Sequence, residues 1–296
     1  MNKSIFFIAL VPLMMGCGAC KGARTAITNA EVSNAENHQM IVKTLSLKDF
    51  DGIYALGTMN VVYTSDHDYS VKISGLKDDV DKVKASVSNG ALVLSEPHHH
   101  LSDLFGQRTH SVTVYVSSPD LHEVDMKGAG RFLTKSKIVT EDFKVDISGT
   151  GRAVFGDINC AHFISYLSGT GDLRVNRLAA QSSSFKGSGT GNINLRELSV
   201  AGHTGIGLSG TGSMVASTLS TKDLSVETSG TGNATLEQIK ASTIMASTSG
   251  AGNVLLDMKE VGNANVSASG IGSITVRGTY QHLQQDHSGL GHIHIE

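Results

Sequence analysis

One tetrapeptide, Ser-Gly-Thr-Gly, returns about every 20 residues through the second half of this chain. It stands at Ser148–Gly151, Ser168–Gly171, Ser188–Gly191, Ser209–Gly212 and Ser229–Gly232. It drifts to Ser249-Gly250-Ala251-Gly252, Ser269-Gly270-Ile271-Gly272 and Ser288-Gly289-Leu290-Gly291, and an imperfect first copy is Lys127-Gly128-Ala129-Gly130. The first glycines fall at 128, 149, 169, 189, 210, 230, 250, 270 and 289, a spacing of 19 to 21 throughout. A period this regular means stacked repeats, in which each unit buries its apolar face only against its neighbours.

The repeat can be decoded by counting from its first glycine. Positions +4, +6 and +9 are apolar in most copies, as in Ala153, Phe155 and Ile158, or Leu173, Val175 and Leu178. Positions −6, −4 and −2 behave alike, as in Phe143, Val145 and Ile147. Alternation puts such residues on one face of a strand, here the interior. The step from +6 to +9 breaks the alternation by one residue and predicts a corner. The glycine pairs Gly149/Gly151, Gly169/Gly171, Gly189/Gly191, Gly210/Gly212, Gly230/Gly232, Gly250/Gly252 and Gly270/Gly272 are the predicted repeat turns. They share the parity of the interior residues, so an inward glycine would let the backbone bend or approach another wall. Ser at −1 and Thr at +1 then point outward and stack into two hydroxyl ladders with rungs about 4.8 Å apart.

These features predict an all-β fold: a parallel β-solenoid, right-handed and β-helix-like, of about 20-residue coils with a β-rich N-terminal part. A propeller needs a longer repeat, and a leucine-rich horseshoe lacks its Leu pattern here. Aromatic residues make up only 5% of the chain and Trp is absent, which suits narrow coils. A net charge of −3 leaves no basic footprint for nucleic acid.

The N-terminus reads as a targeting segment. Lys3 precedes an apolar run from Ile5 to Met15 that is too short to span a bilayer, and Gly16-Cys17 follows. The junction resembles a bacterial lipoprotein signal. It implies a signal peptide over 1–16, lipidation at Cys17, a flexible tether over 17–39, and an outer-membrane lipoprotein of the cell envelope held by its lipid. Three cysteines make no disulfide framework.

Residues 40–125 read as a β-rich N-terminal part with a polar insertion at 96–110, and 126–296 as the repeat solenoid. Asn60 to Thr64 and Tyr69 to Ser74 have strand character, Asp78 to Lys84 predicts a short surface helix, and Asn89-Gly90 predicts a hairpin turn.

Candidate chemistry is thin. Gly-x-Gly here precedes strand residues rather than a helix, so it is no dinucleotide fingerprint. Calcium-binding solenoids need periodic carboxylates, whereas position +3 holds Arg152, Asp172, Asn192, Ser213, Asn233, Asn253 and Ser273. His287, His292 and His294 cluster near the end of the sequence and read as a polar cap rather than a metal site. Asp146, Asp157, Asp172, Glu197, Glu237 and Asp257 read as scattered, with no shared repeat position. No catalytic, cofactor-binding or metal-binding residues are assigned. The alternative to a binding or structural module is a carbohydrate-active enzyme, a polysaccharide lyase or hydrolase on a β-helix.

Phe50-Asp51-Gly52-Ile53, Asn60-Val61-Val62-Tyr63, Val112 to Val116 and the Ser-Gly-Thr-Gly coils together resemble the bacterial family named "putative auto-transporter adhesin, head GIN domain". The resemblance runs from Asp49 to Glu296. It implies a secreted or surface β-solenoid, often lipidated, and brings no catalytic residues. Such a rod would offer its faces to a glycan, a protein partner or a second copy of itself.

Overall fold

The computed structural model describes residues 39–96 and 112–296. The signal segment, Cys17, the tether up to 38 and the insertion from 97 to 111 lie outside the described residues. Residues 40–296 form one unit by themselves, and 65% of the described residues are in strand and 2% in helix.

The strands follow in chain order. The first group is β1 (Met40–Leu45), β2 (Gly52–Leu56), β3 (Asn60–Ser65), β4 (Ser70–Leu76), β5 (Lys84–Ser88), β6 (Ala91–Ser95), β7 (Thr113–Ser118), β8 (Glu123–Met126) and β9 (Arg131–Thr134). One short helix, α1 (Lys77–Lys82), buries Val80. The coils continue with β10 (Ile138–Val139), β11 (Asp142–Ile147), β12 (Arg152–Asn159), β13 (His162–Leu167), β14 (Asp172–Ala180), β15 (Ser182–Gly187), β16 (Ile193–Val200) and β17 (His203–Leu208). They end with β18 (Met214–Ala216), β19 (Leu219–Thr228), β20 (Ala234–Thr248), β21 (Val254–Ala268), β22 (Ile274–His287) and β23 (Ile293–Ile295).

Each coil has three sides. The first is the strand before the glycines, where β8, β11, β13, β15, β17 and β19 pair in parallel. The second is the strand after them, as in Arg152↔Asp172 and Leu173↔Ile193. The third is short, as in Ile158↔Leu178↔Leu198. The corner expected after +6 is present: pairing skips Gly156 between Phe155 and Asp157. In β20 the corner falls at Gln238, a non-glycine with φ of 51°.

The strands of the 40–125 part join the same stack. β2 lies between β6 and β8, and β3 lies between β7 and β9, all parallel. Leu56-Gly57-Thr58-Met59 is therefore the turn of an earlier coil, directly before Lys127–Gly130. Beyond β6 and β7 the sense changes. β4 pairs antiparallel with β7, β1 with β4, and β5 with β6, so antiparallel strands cover that side of the stack. The β5–β6 connection is the expected Asn89-Gly90 hairpin, with φ of 51° and 77°.

The interior follows the alternation. Ala153, Phe155, Ile158, Phe143, Val145 and Ile147 are all at most 1% exposed. The few aromatics gather in the early coils, where Phe132, Phe155, Phe143, Phe163 and Phe185 form a chain of ring contacts 5.3 to 6.1 Å apart. Later coils replace rings with hydroxyls: Ser183 bonds Thr204 at 3.2 Å, Thr204 bonds Thr221 at 3.1 Å, and Thr221 donates to the Gly202 carbonyl at 2.8 Å.

The turn glycines have a different reason from the one the parity argument suggests. A Cβ on Gly169 would meet the carbonyl oxygen of Gly149, and one on Gly191 that of Gly171, closer than any side chain can approach. The missing side chain thus points along the stack toward the preceding coil. Among the described residues, left-handed φ at glycine occurs only at Gly57, Gly90, Gly278 and Gly289. Close approach, not backbone freedom, makes glycine obligatory in the inner turns. That approach lets one carbonyl take two bonds, as Thr170 and Gly171 both donate to Gly149 at 3.1 Å.

Candidate functional site

The Ser and Thr of the repeat turns are exposed, which places two hydroxyl rows along one edge of the coils. The Thr row ends in apolar residues, with Ile271 65% and Leu290 78% exposed. Position +3 forms a third row beside them. The side-chain oxygen of Asp172 accepts from the Asn192 N–H, Asn192 from Ser213, Asn233 from Asn253 and Asn253 from Ser273, at 2.8 to 3.3 Å. Five of the residues set aside as poor calcium ligands, Asp172, Asn192, Ser213, Asn233 and Asn253, therefore cap the backbone of the next coil. Their shared ability to accept a bond was the signal available in the sequence.

The acids are organised as well, contrary to the reading that they share no repeat position. Asp157, Arg177 and Glu197 sit on successive rungs of one column, with Arg177 bonding both acids at 3.3 and 3.1 Å. Arg152 pairs with Asp172 at 2.8 Å, and Arg277 with Asp257 at 3.4 Å. Parallel stacking turns residues 20 apart in sequence into neighbours, so opposite charges at one position become ion pairs.

The densest chemistry lies on the outer face of the first side, beside the Ser row. Register aligns Tyr54, Asp125, Asp146, Tyr166, Lys186, Gly207 and Glu227 in one column. The adjacent column holds Glu123, Lys144, Ile164, Ser184 and Gly205. Glu123 receives bonds from Tyr54 at 2.8 Å and from Lys144 at 2.7 Å. Burial opposes its ionisation, but these bonds outweigh it and hold the carboxyl below its usual range. Asp125 is 8% exposed. Lys127 meets one of its oxygens at 3.0 Å, and the other, Oδ1, is buried without a partner among the described residues. Burial and the neighbouring charge of Asp125 raise the Asp146 carboxyl.

Farther along the column the Lys186 ammonium stands 5.5 Å over the Tyr166 ring. Gly205 and Gly207, both outward on β17, then interrupt the row of side chains. A hollow of about 510 Å³ results, lined in part by Tyr166, Lys186, Gly207 and Glu227.

His287, His292 and His294 do come together, with ring centroids 6.3 and 6.0 Å apart. Among the described residues, no three His, Cys, Asp or Glu side chains converge to hold a metal ion. Cys160 is a buried free thiol, pushed by burial and then by Asp142 up to about 12. Among the described residues no helix is long and apolar enough to cross a membrane.

Solved structures share this fold. An adhesin-like protein of Parabacteroides merdae matches with a TM-score of 0.64 and 17% identity, over 88% of this chain and 97% of its own. One from Parabacteroides distasonis matches at 0.62 and 15%, over 88% and 98%. A second protein of that species, described as a "putative lipid binding protein", matches at 0.57 and 15% over the same shares. No functionally curated protein matches the sequence. The sequence profile described as "Putative auto-transporter adhesin, head GIN domain" matches residues 49–237 and 220–296. With the repeats, the coil geometry and this match together, the chain belongs to that family.

Proposed function

We propose that the chain is a lipid-anchored β-solenoid of the bacterial cell envelope that acts as a non-catalytic, adhesin-like binding module. Its anchor is a lipid on Cys17, set in the outer membrane, and its ligand is a glycan or a protein. The observation that carries this reading is the strip from Tyr54 to Glu227, in which aromatic, acidic, basic and hydroxyl groups line one continuous face. Rigid strands hold them, so binding would require little reordering. Several acids that could serve catalysis are held in ion pairs across coils, which favours recognition over turnover. The hollow at Gly207 is open to solvent and cannot enclose an acyl chain, which favours a polar ligand over a lipid.

Two measurements test the reading. The purified chain, run in native gels containing soluble starch, hydroxyethyl cellulose or pectin, is expected to be retarded in at least one without releasing reducing ends. Release of reducing ends or unsaturated products would establish the carbohydrate-active alternative. In cells, labelled palmitate should enter the wild type and not Cys17→Ala, and protease added to intact cells should trim an outward-facing rod. Absence of label from the wild type removes the lipid anchor from the proposal.

A further inference from the structure

The glycines of β17 differ from those of the repeat turns. A Cβ at Gly207 would meet nothing within 4 Å, so no packing requires glycine there. At Gly205 the nearest atom would be the His203 ring at 3.4 Å, an ordinary contact. Glycine inside a strand carries a conformational cost and often marks a place where another molecule approaches the backbone closely. Two of this strand's three outward positions are glycine, the third being His203, while the coils on either side carry Ser184 and Lys186 or Ser225 and Glu227 at the matching places.

The result is a trough one rung wide. Lys186 and Glu227 face each other across Gly207, two rungs or about 9.6 Å of backbone apart. Lys186 rests over Tyr166 instead of reaching across. Hydroxyls of Ser188, Ser209 and Ser229 edge the hollow. At about 510 Å³ the hollow falls within the usual range for small ligands.

We propose that this trough is a saccharide subsite; the assignment rests on the binding-module reading above and gives it a location and a ligand class. A sugar ring presents hydroxyls that donate and accept, together with an apolar C–H face. Lys186 supplies a donor, Glu227 an acceptor, the serines both, and the open floor at Gly207 admits a flat ring. A phosphate would need converging cations, but the single lysine here is countered by a carboxylate. The solvent side stays open along the serine row, so a linear oligosaccharide can extend over neighbouring coils.

Isothermal calorimetry of the full-length chain in detergent, with maltotetraose, cellotetraose and chitotetraose as probes, tests the subsite. At least one is expected to bind with a Kd of roughly 0.1–1 mM. Gly207→Leu, which fills the trough, and Glu227→Gln should each weaken that binding about 10-fold. Gly156→Leu is the control, because its Cβ also meets nothing within 4 Å and it lies at the corner after the second side. It should bind as the wild type does. No binding of any probe, or unchanged affinity in Gly207→Leu, overturns the subsite. A chain still retarded by polysaccharide gels in either case keeps the module reading and loses only this location, whereas failure in gels and calorimetry together removes both.

Discussion

A side chain on Gly189 would land on the carbonyl oxygen of Gly169, one coil earlier. The same oxygen accepts the N–H groups of Thr190 at 3.0 Å and Gly191 at 3.3 Å. Gly189→Ala must therefore push two coils apart at their closest point. A loss of about 3 kcal/mol is expected, read as a lower urea midpoint. Gly207→Ala, with open space around it, should be neutral or stabilising by about 0.5 kcal/mol. Equal effects at the two positions would refute close approach as the reason for the turn glycines.

The Asp125–Asp146 pair sets a pH dependence of stability. The folded chain holds the Asp146 proton more tightly than the unfolded chain, through burial and the charge of Asp125. Protonation thus favours the fold, and this contribution is lost as pH rises through the raised value. Asp146→Asn should be about 0.5 kcal/mol more stable than the wild type at pH 7, a modest figure because the group is largely solvated. The difference should vanish below the ordinary Asp value of about 3.9. Urea titrations at pH 3 and pH 7 measure it, and a gain that persists at pH 3 would count against a charge effect.

The +3 row is expected to support the stack one bond at a time. Asn233→Ala removes the acceptor for the Asn253 N–H, now at 2.8 Å. Water can replace it at this exposed edge, so the cost should be about 0.5 kcal/mol. Faster amide exchange at Asn253, with little change elsewhere, is the diagnostic readout.

Cys160 should stay unreactive in the native chain, because burial keeps it a thiol. Iodoacetamide followed by peptide mapping is expected to label it only in denaturant. Rapid native labelling would mean that its coil opens locally.

Much of the fold was legible because parallel stacking repeats one environment at one spacing. Phe155 and Ile158 betrayed both the interior and the corner between them. The direction of the glycines was not legible, because parity along a strand says nothing about a contact along the stack. The Asp157–Arg177–Glu197 column escaped because residues of opposite charge look unrelated until coils align them. For the candidate site, Gly205 and Gly207 were hidden among 33 glycines, most of them serving turns. Open space around the Cβ position, shared among the described glycines only with the corner residue Gly156, together with its place in mid-strand, sets Gly207 apart.

The placement of β2 and β3 between strands that come later in sequence has a consequence for how the chain is built. Their neighbours on one side are β6 and β7, and on the other β8 and β9. A chain emerging from its N-terminus cannot complete that first region until residue 134 has appeared. From there each further 20 residues or so can settle on a finished template as they arrive. Assembly therefore begins with one slow, long-range closure and continues as local growth. Truncations within the first 134 residues should leave nothing to grow on, whereas trimming whole coils from the far side should leave a shorter but intact stack.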